Sequence, residues 1–143
     1  MTQDLLVDIG EEYLLTQNVD GVTLRVGLYN DSTDDVGEGD NYAAITSEPE
    51  NGDYSTSDVT FSASYDGDNW GISNDSQIDY DFSDTTDDTV EVDTSFILAQ
   101  FDSAEAESTG WHLVTNPSLT QTRKIGSIDT LSIAAGDLNI NLD

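Results

Sequence analysis

The chain has no cysteine among its 143 residues, so disulfides, thiolate metal sites and cysteine nucleophiles are excluded together. Basic residues are nearly missing: Arg25, Arg123 and Lys124 stand against 30 Asp and Glu, for a formal net charge of −27. Naked nucleic acid is therefore not an expected partner, because a phosphate backbone is gripped by clustered Lys and Arg. Apolar runs are short and none approaches the ~20 residues that span a bilayer, so no membrane partner is expected. The opening MTQDLLVDIG lacks the basic start and long apolar core of a signal peptide. His112 is the only imidazole, and there is no Gly-rich phosphate loop and no internal repeat. No carboxylate pair is favoured for glycoside hydrolysis, and a lone His beside a strand Trp reads as structural or exposed rather than catalytic, so the chain is not expected to be an enzyme.

What is present is acid, hydroxyl and alternation. High charge with modest hydrophobicity is the signature of disorder. Against it stand 36% hydrophobic residues, six Tyr, four Phe, two Trp and regularly spaced alternating runs, which a disordered acidic tail does not need. The length suits one domain with a real core. A charge of this size makes a compact chain repel itself in dilute salt. At about 1 M salt the Debye length falls to about 3 Å and most repulsion between separated surface groups disappears. The composition fits a salt-rich environment.

Leu5, Leu6, Ile9, Tyr13 and Leu14 recur near helical spacing behind a candidate cap, Asp4, and predict a short amphipathic helix over 4–17. Residues 1–18 are read as this helix or arm and residues 19–143 as a β-sandwich domain. Val22, Leu24, Val26 and Leu28 alternate with Thr23, Arg25, Gly27 and Tyr29, which is the clearest strand. From Asp31 to Asp93 there are nineteen acidic residues and no Lys or Arg. The stretch from Asp31 to Tyr42 reads as a solvated loop. Strands are expected at 42–46, 59–64, 70–73, 77–82 and 89–92, separated by Asn, Asp, Gly and Ser turns. Ile78, Tyr80 and Phe82 face inward while Asp79 and Asp81 coat the outside. A core strand follows at 95–101 and another at 111–115, stopped by Asn116-Pro117. After a segment over 119–125, Leu131 and Ile133, then Leu138, Ile140 and Leu142, alternate about a Gly136-Asp137 turn and predict a closing antiparallel pair. About nine or ten short strands give an all-β class: an antiparallel β-sandwich or jelly roll with a short N-terminal amphipathic helix.

Candidate sites are few. Asp31, Asp34, Asp35, Glu38 and Asp40 invite a hard cation, but their spacing misses the EF-hand pattern, as does Asp66-Gly67-Asp68-Asn69 beyond its first two ligand positions. No cofactor is expected; weakly held Mg²⁺, Ca²⁺, Na⁺ or K⁺ ions are the bound species such clusters allow. Asn30 and Asn74 each begin an Asn-Asp-Ser sequon in turn-like sequence and are candidate N-glycosylation sites. Interface candidates are Leu5, Ile9 and Tyr13 on the N-terminal helix, with the aromatics Tyr29, Trp70 and Trp111.

Three stretches carry a resemblance: Gly10-Glu11-Glu12-Tyr13-Leu14-Leu15, the strand VTLRVGLYND over 22–31, and the ending DTLSIAAGDLNINLD over 129–143. Together they resemble small β-rich structural proteins from the head-to-tail gene region of haloarchaeal tailed viruses and proviruses. Leu24-Arg25, Leu28-Tyr29-Asn30 and Gly136-Asp137 fall on that pattern, while the acidic middle does not. The resemblance implies a non-catalytic virion protein on the capsid surface or vertices, of decoration or turret type. Its expected partners are other virion proteins such as the major capsid protein, and further copies of itself in a homo-oligomer. A tail or fibre module binding a host glycan or receptor is the alternative, since small β domains recur in all these roles.

Overall fold

A computed structural model describes Ile9 and residues 21–50, 54–65, 67–82, 90–100, 111–124 and 130–141. Nine strands lie within them: β1 (Val22–Tyr29), β2 (Ser57–Tyr65), β3 (Trp70–Asn74), β4 (Ile78–Asp81), β5 (Glu91–Gln100), β6 (Trp111–Thr115), β7 (Ser118–Lys124), β8 (Thr130–Ile133) and β9 (Asn139–Asn141). A one-turn helix α1 (Asp31–Asp34) and a 3₁₀ turn η1 (Tyr42–Ala44) sit between β1 and β2. The all-β, antiparallel class holds. The order β6-β5-β1-β2-β3-β9 makes a curled, half-barrel path, with β7 also on β5 and a separate β4-β8 ribbon. The helix expected over 4–17 lies outside the described residues except for Ile9, which is exposed.

Alternation builds the central strand. Leu24, Val26 and Leu28 of β1 point to one face and are buried. The β4–β8 ribbon covers that face with Ile78, Tyr80, Leu131 and Ile133, packed with Val59, Phe61, Ile72, Val92 and Ile97 into one cluster. Tyr80 adds a polar anchor, its hydroxyl donating to the Val26 carbonyl at 2.8 Å. The other face of β1, which carries Thr23, Arg25, Gly27 and Tyr29, is not given over to solvent. Instead Tyr29 is fully buried there with Phe96 and Leu98 of β5, and Val36, Tyr42 and Ile45 close over them. Gly27 lies opposite Phe96, and a Cβ at Gly27 would run into that ring.

Several strand expectations shift. Residues 42–46 begin with η1 rather than a strand, because the Asn41 side chain caps the Tyr42 N–H and Asp34 captures Thr46 and Ser47. The strand expected at 95–101 starts earlier, at Glu91, with a register irregularity between Val92 and Thr94. Strands β6 and β7 run end to end along one edge of β5, broken at Asn116-Pro117, whose proline carbonyl accepts from both the Ser95 N–H and its hydroxyl. The closing hairpin does not form. Strand β8 pairs with β4 and β9 pairs with β3, so the Gly136 turn (φ +82°) moves the chain from the ribbon to the large sheet. Asn74, 2% exposed, holds that corner: its amide donates to Ser76 and Ala134 carbonyls and accepts from the Leu138 N–H.

Candidate interaction surfaces

The acidic excursion from Asn30 to Glu50 is knitted. Asn30 caps α1 by accepting from the Thr33 N–H. Asp31 accepts from the Val36 N–H and the Tyr29 hydroxyl. Asp34 accepts four hydrogen bonds, from the N–H and hydroxyl of Thr46 and of Ser47. Asp93 of β5 accepts from the N–H groups of Asp31 and Ser32 and from the hydroxyls of Ser32 and Thr94. Partial burial works to raise the Asp34 and Asp93 carboxyls, but these donors outweigh it and hold both below the usual aspartate range. Their carboxylates are turned onto backbone and hydroxyl donors, not onto a common point. Among the described residues no group of three or more His, Asp or Glu is placed to hold a metal ion.

Glu48 sits where this excursion meets the core. It accepts from Tyr54 at 2.8 Å and Tyr42 at 3.4 Å, and burial pushes its carboxyl above the ordinary range although those hydroxyls oppose it. The Tyr54 hydroxyl in turn accepts from the Leu28 N–H, and its ring stacks on Tyr80 and Phe82 at 5.6 Å each. Burial drives the Tyr54 and Tyr80 hydroxyls far up, and raises that of Tyr29 to about 12. His112 is buried too: Asn41 Nδ2 lies 3.0 Å from its Nδ1, and Asn41 Oδ1 accepts from the Leu113 N–H, tying η1 to β6.

The aromatic candidates separate. Tyr29 is core, which removes it from the exposed set. Trp111 is half-buried beneath the Arg25 guanidinium, 4.0 Å from the ring centre, while Arg25 also pairs with Asp58 at 2.9 Å across β1 and β2. Trp70 is half-buried, opposite exposed Tyr65 at the β2–β3 turn, with ring centres 5.7 Å apart. Leu5 and Tyr13 lie outside the described residues. The sequon at Asn74 is corrected by its burial, since a glycan needs the amide nitrogen that here donates inward twice. Asn30 remains half-exposed, its carbonyl oxygen committed to the α1 cap.

One surface was not visible in the sequence. Between the outer edges of β7 and β8 runs a groove of about 230 Å³. Leu119, Leu131, Ile133 and Leu138 form its apolar side, and Arg123 and Asp137 stand on it. Lys124 next to Arg123 lies 3.9 Å from Glu91. Searches of protein-family models, curated proteins and solved structures return no match to this chain.

Proposed function

We propose that the chain is a non-catalytic structural subunit of the virion surface, a capsid decoration or turret protein of a halophilic tailed virus, working as a homo-oligomer bound to other virion proteins. One observation carries the reading. Carboxylates of the acidic excursion are used as building material: Asp34 and Asp93 each gather four donors, which fixes a loop that the composition alone would leave to solvent. A subunit exposed to brine needs a surface that is acidic and yet held in place, and backbone and hydroxyl donors to Asp34 and Asp93 supply such a hold here. The resemblance at 22–31 and 129–143 points to the same role. A sandwich-type domain with an N-terminal contact helix over 4–17 belongs to this proposal, and Ile9, exposed, is its contact residue. Mass spectrometry of particles purified from the source tests it. The subunit is expected in intact particles in fixed stoichiometry to the major capsid protein, and its absence from them rejects the role.

A second reading, a tail or fibre module for a host glycan, is favoured by one feature. Exposed Tyr65 and half-buried Trp70 form a cross-strand aromatic pair beside the polar Gly67-Asp68-Asn69 turn. Glycan-array binding that disappears in Trp70→Ala would establish it, and an empty array with folded protein would remove it.

A further inference from the structure

We propose that the seam between β7 and β8 is a self-complementary docking edge for a second copy of this chain, with Arg123 of each copy meeting Asp137 of the other. The proposal rests on the assembling-subunit reading above, and it says which edge assembles.

Three observations converge on the seam. Among the described residues β7 pairs only with β5, at Ser118 and at Arg123 and Lys124, and β8 pairs only with β4, so the sides they turn to the groove have no described strand partner. Consecutive residues of both strands line it, Ser118 to Gln121 and Thr130 to Ile133, as happens where a groove follows strand edges rather than one pleated face. Its apolar floor includes Leu131, Ile133 and Leu138, each under a tenth exposed. A neighbouring strand edge supplies what such a seam lacks, main-chain partners and an apolar cover.

Charge selects the occupant. In a chain of net charge −27, most faces of two copies would bring carboxylate against carboxylate. The described cations Arg25 and Lys124 already face Asp58 and Glu91, whereas Arg123 pairs with no carboxylate among the described residues. Asp137, on the same groove, has no cation partner among them either. A cation and a carboxylate on a single edge, neither with a charged partner among the described residues, satisfy each other twice when two identical edges meet about a two-fold axis.

Sedimentation equilibrium of the whole chain in about 2 M KCl, across a wide concentration range, tests the seam. Wild type is expected to self-associate reversibly. Arg123→Asp and Asp137→Arg are each expected to weaken association about tenfold or more, and the double exchange to restore most of it. Amides of 118–124 and 130–133 should gain hydrogen-exchange protection in the associated state. Circular dichroism confirms that the variants fold, and the restored double variant guards against misfolding as the cause. A monomer at all concentrations, or single exchanges without effect, overturns the proposal. So does protection confined to another face. These outcomes concern purified chain alone, so they leave the presence of the subunit in virions to be decided separately.

Discussion

The two faces of the β1–β5 core are covered by different chemistry. On one, the β4–β8 ribbon lays Ile78, Tyr80, Leu131 and Ile133 onto Leu24, Val26 and Leu28, a hydrocarbon contact with one buried hydroxyl anchor. On the other, the excursion from Asn30 to Glu50 covers Tyr29, Phe96 and Leu98 with few apolar side chains and is secured by Asp31, Asp34 and Asp93. The first face gains mainly from area removed from water. The second depends on the ionisation of groups that also keep the protein soluble. The ribbon face should therefore be sensitive to volume, and the excursion face to pH.

The largest break in that contrast comes from Tyr80→Ala. It removes a fully buried ring and its bond to Val26, and should cost about 3–5 kcal/mol in denaturant unfolding. Tyr80→Phe, which keeps the ring, should cost about 1 kcal/mol. If the two variants cost the same, the hydroxyl rather than the packing holds the ribbon. Asn74→Ala comes next, at about 2–3 kcal/mol, because it leaves the Leu138 N–H and Ala134 carbonyl without their partner at the corner joining ribbon and sheet. Gly27→Val, by forcing a side chain into Phe96, should cost about 1–3 kcal/mol on the excursion face, read as a lowered thermal midpoint.

The faces also differ in how far they could be read in advance. Leu24, Val26 and Leu28, or Ile78, Tyr80 and Phe82, declare a buried side by their spacing, and the structure buries all six. Spacing names a face but not a neighbour. That is why Leu131 and Ile133 were assigned correctly to a strand yet paired with β9 instead of β4. The second face was hidden because Arg25, Gly27 and Tyr29 look like a solvent side, and because Asp34 looks like a solvated carboxylate. Nothing in composition says that Thr46 and Ser47, twelve and thirteen residues on, turn back to it. Asn74 reads as a sequon for the same reason: of the three bonds that occupy its amide, two come from residues 60 and 64 positions away. Arg123 and Asp137 are legible as charges, but the groove they share depends on which strands are neighbours.

Acid should separate the faces without any substitution. Asp34 and Asp93 have folded pKa values below their unfolded ones, so their contribution is complete above the unfolded aspartate pKa and is lost as pH falls through the folded value. Glu48 has the opposite sign. Its folded pKa is raised, so its ionisation weakens the fold at neutral pH, and that penalty is relieved as pH falls through its folded value. On acidification the excursion is expected to tighten first, as Glu48 takes up a proton, and then to loosen as Asp34 and Asp93 are protonated. Hydrogen exchange at the Thr46 and Ser47 amides should pass through a minimum in opening at weakly acid pH, while the Val26 and Tyr80 amides follow neither step. Asp34→Asn should cost about 1–2 kcal/mol at neutral pH and flatten the acid limb, and Glu48→Gln should remove the minimum. A uniform loosening of both faces would show that they unfold as one unit and that the contrast in chemistry has no separate energetic consequence.

The smallest expected effect lies where the excursion face reaches the β1–β2 pair. Arg25 bonds Asp58 and covers Trp111, so it looks like a clasp, and it is the only cation on that face among the described residues. Its side chain is about a third exposed and that of Asp58 about half, so water already solvates the pair in part and salt screens much of what remains. A double-mutant cycle with Arg25→Met and Asp58→Asn should return about 0–1 kcal/mol, shrinking from 0.1 M to ~2 M KCl. The Trp111 contact should add about 0.5–1 kcal/mol and shrink less, because the stacked guanidinium also covers ring surface. A coupling with Asp58 above about 2 kcal/mol that persists in high salt would mean that a cation pair, and not Asp34 and Asp93 with their neutral donors, holds the acidic face to the sheet.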